Sequence, residues 1–403
     1  MKLVRDRAKL WWFIVVLVFA GAIATTAIYM IWFQPQRVSS PTAVVQAPTP
    51  KPVSLSANTL FLGNVYWGRY INDWSMKSPL KTAYPFSGLS AFNRESYDAW
   101  IAGLECPTVA GFTQTSAEED ETLSFNCSPD YLPEAAKWFN IFTLANNHTD
   151  NREAAGFEET KQQLDKHGIQ YFGHYDPYAK EEACEVIAMP VSVTYDNDEV
   201  KKEKLPMAFC GFHGVFKIPP AETIAQIEKY ADSMPVIAMP HMGAEYVPEP
   251  DQIKTSTYRA MIDAGADIVL GDHPHWVQST ESYKGKLIVY SMGNFMFDQQ
   301  GSIELTRSAG INVVMSTTDT SSEQLSKWTK LGEDCATFKD TCLEKAQEGN
   351  LQEIALQYRY RVVGTNNEGK LAKPATAAEQ ASILQRLNWV NTMNQLQSPH
   401  GSL

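Results

Sequence analysis

Short apolar runs that end abruptly in polar clusters constrain this chain more than any other feature. The clearest is Asp267-Ile268-Val269-Leu270, which passes straight into Gly271-Asp272-His273-Pro274-His275. β-Branched residues in so short a run suit a buried strand, a glycine lets the backbone turn at its end, and a proline between two histidines stiffens the loop that presents them. Other runs at 58–62, 99–104, 140–144 and 236–239 end in Gly63-Asn64, Glu105, Asn146-Asn147-His148 and His241. Further strands are predicted at 169–172, 205–212 and 287–290, and helices at 156–168, 223–233 and 255–264. Strands alternating with helices predict an α/β fold, and ligands in open α/β sheets gather at the carboxyl ends of the strands. Beyond Gly301 the pattern predicts strands near 311–315 and 354–363, an excursion between them, and a final helix over 377–396.

Upstream of this body, residues 10–33 carry no charge, a run of about two dozen that is long enough to cross a bilayer as one helix. Lys2, Arg5, Arg7 and Lys9 precede it against the single acid Asp6, so the positive-inside rule puts the N-terminus in the cytoplasm and the rest outside. Ala22-Ile23-Ala24 has the small-x-small form of a signal-peptide cleavage site. The apolar residues that continue past it, with Tyr29, Trp32 and Phe33 as an interfacial cluster, favour an uncleaved anchor. Residues 34–57, with five prolines among Ser, Thr, Ala and Val, read as an extended tether. The expected organisation is thus 1–33 basic tip and anchor, 34–57 tether, 58–320 main domain and 321–403 a C-terminal extension completing it.

Net charge is −12, and with a net +3 on the first 33 residues the remainder carries −15, which disfavours nucleic acid as a partner. Six cysteines in a chain expected to be exported point to disulfides. Sequence proximity suggests Cys106 with Cys127, Cys184 with Cys210 and Cys335 with Cys342.

Carboxylate, amide and imidazole groups at five strand tips make a donor set for first-row cations such as manganese, iron or zinc, and one or two such cations can clamp a phosphoryl group. Plain alternatives exist for each residue: Asn146 and Asn147 can hold a turn, Glu105 can pair with Arg69, and His241 can be a hydrogen-bonded core histidine.

The segments Gly63-Asn64-Val65-Tyr66-Trp67-Gly68-Arg69, Leu104-Glu105-Cys106-Pro107, Ala145-Asn146-Asn147-His148-Thr149-Asp150, His241-Met242-Gly243-Ala244-Glu245-Tyr246, Gly265-Ala266-Asp267, His273-Pro274-His275 and Tyr290-Ser291-Met292-Gly293-Asn294-Phe295 carry a resemblance. In order and spacing, residues 59–298 resemble the CapA-like family of bacterial capsule and poly-gamma-glutamate biosynthesis, itself similar in fold to calcineurin-type metallophosphoesterases. The resemblance implies a metallophosphoesterase-like αββα sandwich, two sheets between helices, behind one N-terminal transmembrane helix. It implies cation ligands at Asn64, Glu105, Asn147, His241, His273 and His275, a phosphoryl-contacting acid at His148, and an anion-holding fork at Arg69. A metal-dependent hydrolase or transferase acting on an anionic surface polymer is the implied function, with membrane-bound polymer synthase subunits as implied partners. A non-catalytic, polymer-binding accessory of an export complex is the alternative. The family usually has Asp where this chain has Asn64. A neutral amide is the weaker ligand, so about one tightly held cation is expected, with a second bound only when metal is in excess; Asp272 would partly replace the charge only if its side chain turns inward.

Overall fold

The computed structural model describes residues 3–32, 49–318, 320–349, 351 and 354–403 of the chain. Two compact units result, Met1–Thr49 and Pro50–Leu403. The first contains one helix, Leu3–Trp32, whose segment Leu10–Met30 is long and apolar enough to cross a membrane. At about 1.5 Å per residue that segment matches a hydrocarbon core about 30 Å thick. The expected tether lies outside the described residues as far as residue 48, and from Pro52 onward the chain is already strand.

Fifteen strands are described in the second unit. They are β1 (Pro52–Val65), β2 (Ala99–Leu104), β3 (Ile141–Thr143), β4 (Gln170–Phe172), β5 (Cys184–Tyr195), β6 (Val200–Gly214), β7 (Val236–Met242), β8 (Ile268–Leu270), β9 (Thr280–Tyr283), β10 (Lys286–Val289), β11 (Asn294–Met296), β12 (Arg307–Thr317), β13 (Leu356–Asn366), β14 (Lys373–Pro374) and β15 (His400–Ser402). One arm runs β14-β13-β12-β1-β5-β6-β7-β8-β10-β9; a second, β2-β3-β4, also starts from β1. The shared strand makes this possible by changing partners along its length. Residues 52–56 pair with β5 and residues 59–65 with β2, while β12 holds the other edge over residues 56–61.

Alternation decides what each face buries. Phe61, Ile101 and Ile141 turn toward the other arm, where the Phe209 ring of β6 meets Phe61 at 6.4 Å and Phe172 at 5.2 Å. Leu60, Leu62, Trp100 and Phe142 turn the opposite way, onto a second core that includes Phe157 and Leu164 of the helix Glu153–Lys166. The helix Gln252–Asp263 covers the other arm with Tyr258, Met261 and Ile262, and Ser322–Cys335 adds the buried Trp328. The body is therefore an α/β sandwich of two sheet arms between helices, with the arms hydrogen-bonded into one network through β1. Three disulfides, Cys106–Cys127, Cys184–Cys210 and Cys335–Cys342, join the pairs that proximity suggested.

Several elements differ from expectation. β1 begins six residues before Asn58, because Leu55 and Ala57 alternate with exposed neighbours and find β5 and β12 on either side. β5 was not expected, since Pro190 argues against a central strand; pairing with β1 starts only at Ser192, so Pro190 stands beside β6 alone. The helix expected over 223–233 is broken into Ala221–Ile224, a 3-10 turn Ala225–Ile227 and Glu228–Ala231. The last helix breaks at Asn388, in the left-handed region at φ 54°, into Ala377–Arg386 and Trp389–Met393.

Candidate metal-binding site at the strand tips

β1, β2, β3 and β4 run parallel, as do β6, β7, β8 and β10, so their carboxyl ends open toward one region. A bulge at Gly63 re-aims β1 just before Asn64. Only glycine fits there, since a Cβ would lie 1.8 Å from the Gly293 carbonyl, which accepts the Asn64 amide at 3.1 Å. Glu105 is fixed by its own amide on the Val65 carbonyl at 3.0 Å. The loop after β8 is tied to β7 by the Asp272 amide on the Pro240 carbonyl and to the next motif by the Tyr246 amide on the Pro274 carbonyl. Backbone strain concentrates here: His273, His275, Tyr246 and Arg69 all have positive φ, at 95°, 60°, 58° and 41°. Non-glycine residues in that region cost about 1–3 kcal/mol each, so the surrounding hydrogen bonds hold these four in place.

Two clusters of side chains result. In the first, the His241 Nε2 atom lies 2.9 Å from Asn147 Oδ1, 3.1 Å from Asn146 Nδ2 and 3.2 Å from His273 Nδ1. One ring nitrogen cannot satisfy three such neighbours. In the second, Asn294 donates through its Nδ2 to Gln299 and the Leu305 carbonyl, so its Oδ1 is the acceptor facing His275 Nδ1 at 2.8 Å and Asn64 Nδ2 at 3.3 Å. His275 therefore carries its proton on Nδ1, and its Nε2 lone pair faces a Glu105 carboxylate oxygen at 3.7 Å. With Glu105 ionised, two electron-rich atoms would face each other there, an arrangement that a proton or a cation relieves.

Burial sets the charges. Burial, reinforced by the Asp272 carboxylate, pushes the Glu105 carboxyl well up, and burial likewise raises Asp272. Burial lowers His241, His273 and His275, leaving them neutral, the form that binds metal. Neither oxygen of Glu105 or Asp272 has a hydrogen-bond partner of good geometry, nor has Asn64 Oδ1; the Asn146 side chain faces Glu105, and the amides of His273 and Gly293 face Asp272, outside it. Buried carboxylates left unpaired are costly, and a cation among neutral imidazoles offsets that cost. The donors present thus fit a divalent cation in kind, charge and burial. The cage is not ready-made: among the described residues, no three His, Cys, Asp or Glu side chains already stand in a ligating cluster.

Of the residues expected from sequence, Asn64, Glu105 and His275 come together in one cluster, and Asn147, His241 and His273 in the other. Arg69 departs from its expected role. Its Nε and Nη2 atoms donate to both Asp298 oxygens at 2.7 and 2.6 Å and its Nη1 to Asp120 at 3.1 Å, so the fork meant for an anion is filled. Glu105 makes no ion pair with it. A cleft of 270 Å³ opens beside Arg69, lined by Trp67, Asn72, Phe112 and Glu119 among others, and none of the six expected ligands borders it. His148 also departs. Asn151 Oδ1 already accepts the Phe125 amide, so His148 Nδ1 must be the donor in their 3.0 Å bond, and burial drops the ring's pKa to about 4. It is a neutral proton acceptor at Nε2 where a proton donor was expected.

Three residues escaped the sequence reading as site members. Asn294, on β11 in register with Asn64, sets the His275 tautomer. Asn146 holds the turn by accepting the His148 amide at 2.8 Å and also reaches His241. His213 ends β6 in register with His241, its Nδ1 bonded to the Tyr175 carbonyl and its buried Nε2 unpartnered. Its signal was legible: Phe212-His213-Gly214 closes an apolar run just as the five other tips do.

A family profile described as "Bacterial capsule synthesis protein PGA_cap" matches residues 58–299. The capsule biosynthesis protein CapA of Bacillus anthracis is 25% identical over 252 residues, 59% of this chain and 59% of that protein. The PGA biosynthesis protein CapA of Bacillus subtilis is 28% identical over 267 residues, 63% of this chain and 67% of that protein. The match to the anthracis protein thus spans less than two thirds of its length. Among solved structures, that of TT1561 of Thermus thermophilus is 10% identical and covers 63% of this chain and 93% of its own, at a TM-score of 0.32. With more than half of its residues matched, from the bulged tip of β1 through the Gly293-Asn294 turn, the chain belongs to the bacterial capsule synthesis family PGA_cap.

Proposed function

We propose that this chain is a membrane-anchored, extracytoplasmic hydrolase or transferase that acts, with one or two divalent cations (Mn, Fe or Zn), on an anionic surface polymer of the capsule or poly-gamma-glutamate type. The observation that carries the reading is the juxtaposition of the unpartnered, buried Glu105 and Asp272 carboxylates with neutral imidazoles at the strand tips. Glu105, Asn64 and His275 would hold a cation on one side, and Asn147, His241 and His273 on the other. When bound, such a cation supplies Lewis acidity and neutralises charge on phosphoryl or carboxyl oxygens. His148 takes up a proton at Nε2, Asn151 keeps its tautomer, and Asn294 does the same for His275. Membrane-bound synthase subunits that deliver the polymer are the partners this reading supplies.

Asn64, an amide where relatives of this type usually carry an acid, together with the filled fork of Arg69, favours a second reading: an accessory that binds polymer without turning it over. The full chain, purified in detergent, separates the two through its metal content by plasma mass spectrometry and its turnover of aryl phosphodiesters. Bound transition metal with turnover supports the enzyme. Folded protein that stays metal-free and inactive after loading leaves the accessory.

A further inference from the structure

We propose that Asp272 replaces the carboxylate that Asn64 lacks, so that the negative charge of the site has moved from the tip of β1 to the tip of β8 and two cation subsites are retained. This rests on the cation-dependent reading above and names a ligand that reading leaves out.

The backbone leaves Asp272 little freedom. Its amide is held by the Pro240 carbonyl at 3.0 Å, its carbonyl accepts the Met242 amide at 3.3 Å, and it bridges to His241 on β7. From there the side chain turns inward, 6% exposed, into space that two glycines leave open. A Cβ on Gly63 would lie 3.2 Å from Asp272 Oδ2, and one on Gly103 would lie 3.8 Å from it. That same point beside Gly103 is 3.9 Å from Asn64 Oδ1, so the carboxylate of β8 and the amide of β1 share one cradle at the tips of β1 and β2. Both Asp272 oxygens and Asn64 Oδ1 are buried and unpartnered there.

Lys254 is the rival partner, being buried and the charge that acts most strongly on Asp272. Its ammonium goes instead to Gln278 Oε1 at 3.0 Å, and among the described residues it makes no ion pair with Asp272. Asp272 is in turn the charge that acts most strongly on a second buried carboxyl, Glu105, which it pushes further up. Two acids converging beside an amide oxygen and an imidazole lone pair, with no counter-charge in contact, are the donors of a hard or borderline cation and of little else.

The test is charge transposition in the full chain, read by metal stoichiometry after Mn²⁺ or Zn²⁺ loading and by the exchange-coupled signal of paired Mn²⁺ ions in electron paramagnetic resonance. Wild type should hold about two equivalents, and Asp272→Asn should lose one subsite, its affinity falling at least about 100-fold, together with the coupled signal. The double variant Asn64→Asp/Asp272→Asn should recover both. Metal-free Asp272→Asn should melt no lower than metal-free wild type, because the carboxyl has no hydrogen-bond or ion-pair partner there to lose. Asp272→Asn that keeps both equivalents at unchanged affinity, a double variant that recovers nothing, or a metal-free Asp272→Asn that melts lower, as loss of a Lys254 partner requires, overturns the assignment while the cation-dependent reading stands. Wild type that takes up no metal overturns that reading, and the assignment with it.

Discussion

Arg69 shows how a residue type can be right and its job different. A forked guanidinium near a phosphoryl-like site suggests anion binding, yet its fork closes on Asp298, whose side chain is 1% exposed. Arg69→Ala should therefore strand a buried carboxylate and cost about 3–5 kcal/mol in urea unfolding, with Arg69→Ala/Asp298→Ala recovering part of the loss. If the single variant instead unfolds like wild type and only weakens substrate binding, the structural role is wrong. His148 carries the opposite expectation. It touches none of the six expected ligands in the hydrogen-bond network, so His148→Ala should keep bound metal while turnover falls about a hundred- to ten-thousand-fold. His167, half-buried and with its ring on the Gln163 carbonyl four residues earlier, is the control that should change neither.

At the scale of elements, β15 depends on a histidine that looks incidental in sequence. His400 is buried, bonds Tyr360 through Nδ1 at 2.6 Å and stacks on Tyr358, and burial lowers its pKa to about 4. The sign follows from which state takes the proton first. Below about pH 6.5 the unfolded chain protonates this ring and the folded chain does not, so stability falls with pH until about 4. His400→Phe should remove about 2 kcal/mol of the stability difference between pH 7.5 and pH 4.5, measured by urea unfolding at both. Equal pH slopes for wild type and variant would refute it. What sequence made legible at this scale was the set of runs with one clear period and a polar end: β2 and β8 fall where they were expected. It failed where context decides. Pro190 hides β5 because only tertiary placement shows that one edge is unpartnered there, and Asn388 breaks a helix whose apolar spacing continues past it. In the site, residue identities were legible at the tips. Which amide sets which tautomer, and which way Asp272 turns, depends on strands far apart in sequence and was not.

For the whole molecule, the anchor, the paired cysteines and the acidic body make one consistent expectation. A reporter fused after Leu403 should be active only outside the cytoplasm, and non-reducing peptide maps of protein from its native compartment should return the three observed pairs. Six alkylatable thiols, or a reporter active inside, would refute that. The shared strand has a further consequence, for the order of assembly. β1 is the first strand of the body to leave the ribosome, yet its partners lie in β2, β5, β11 and β12, and the last of them pairs Ser56 with Ser316. Loops that long close slowly, so the earliest strand is the last to be finished. Until some 250 further residues have followed, Phe61 and its apolar neighbours have an open edge, and a chain interrupted before Arg307 should be captured by holding chaperones or aggregate instead of reaching a stable partial fold.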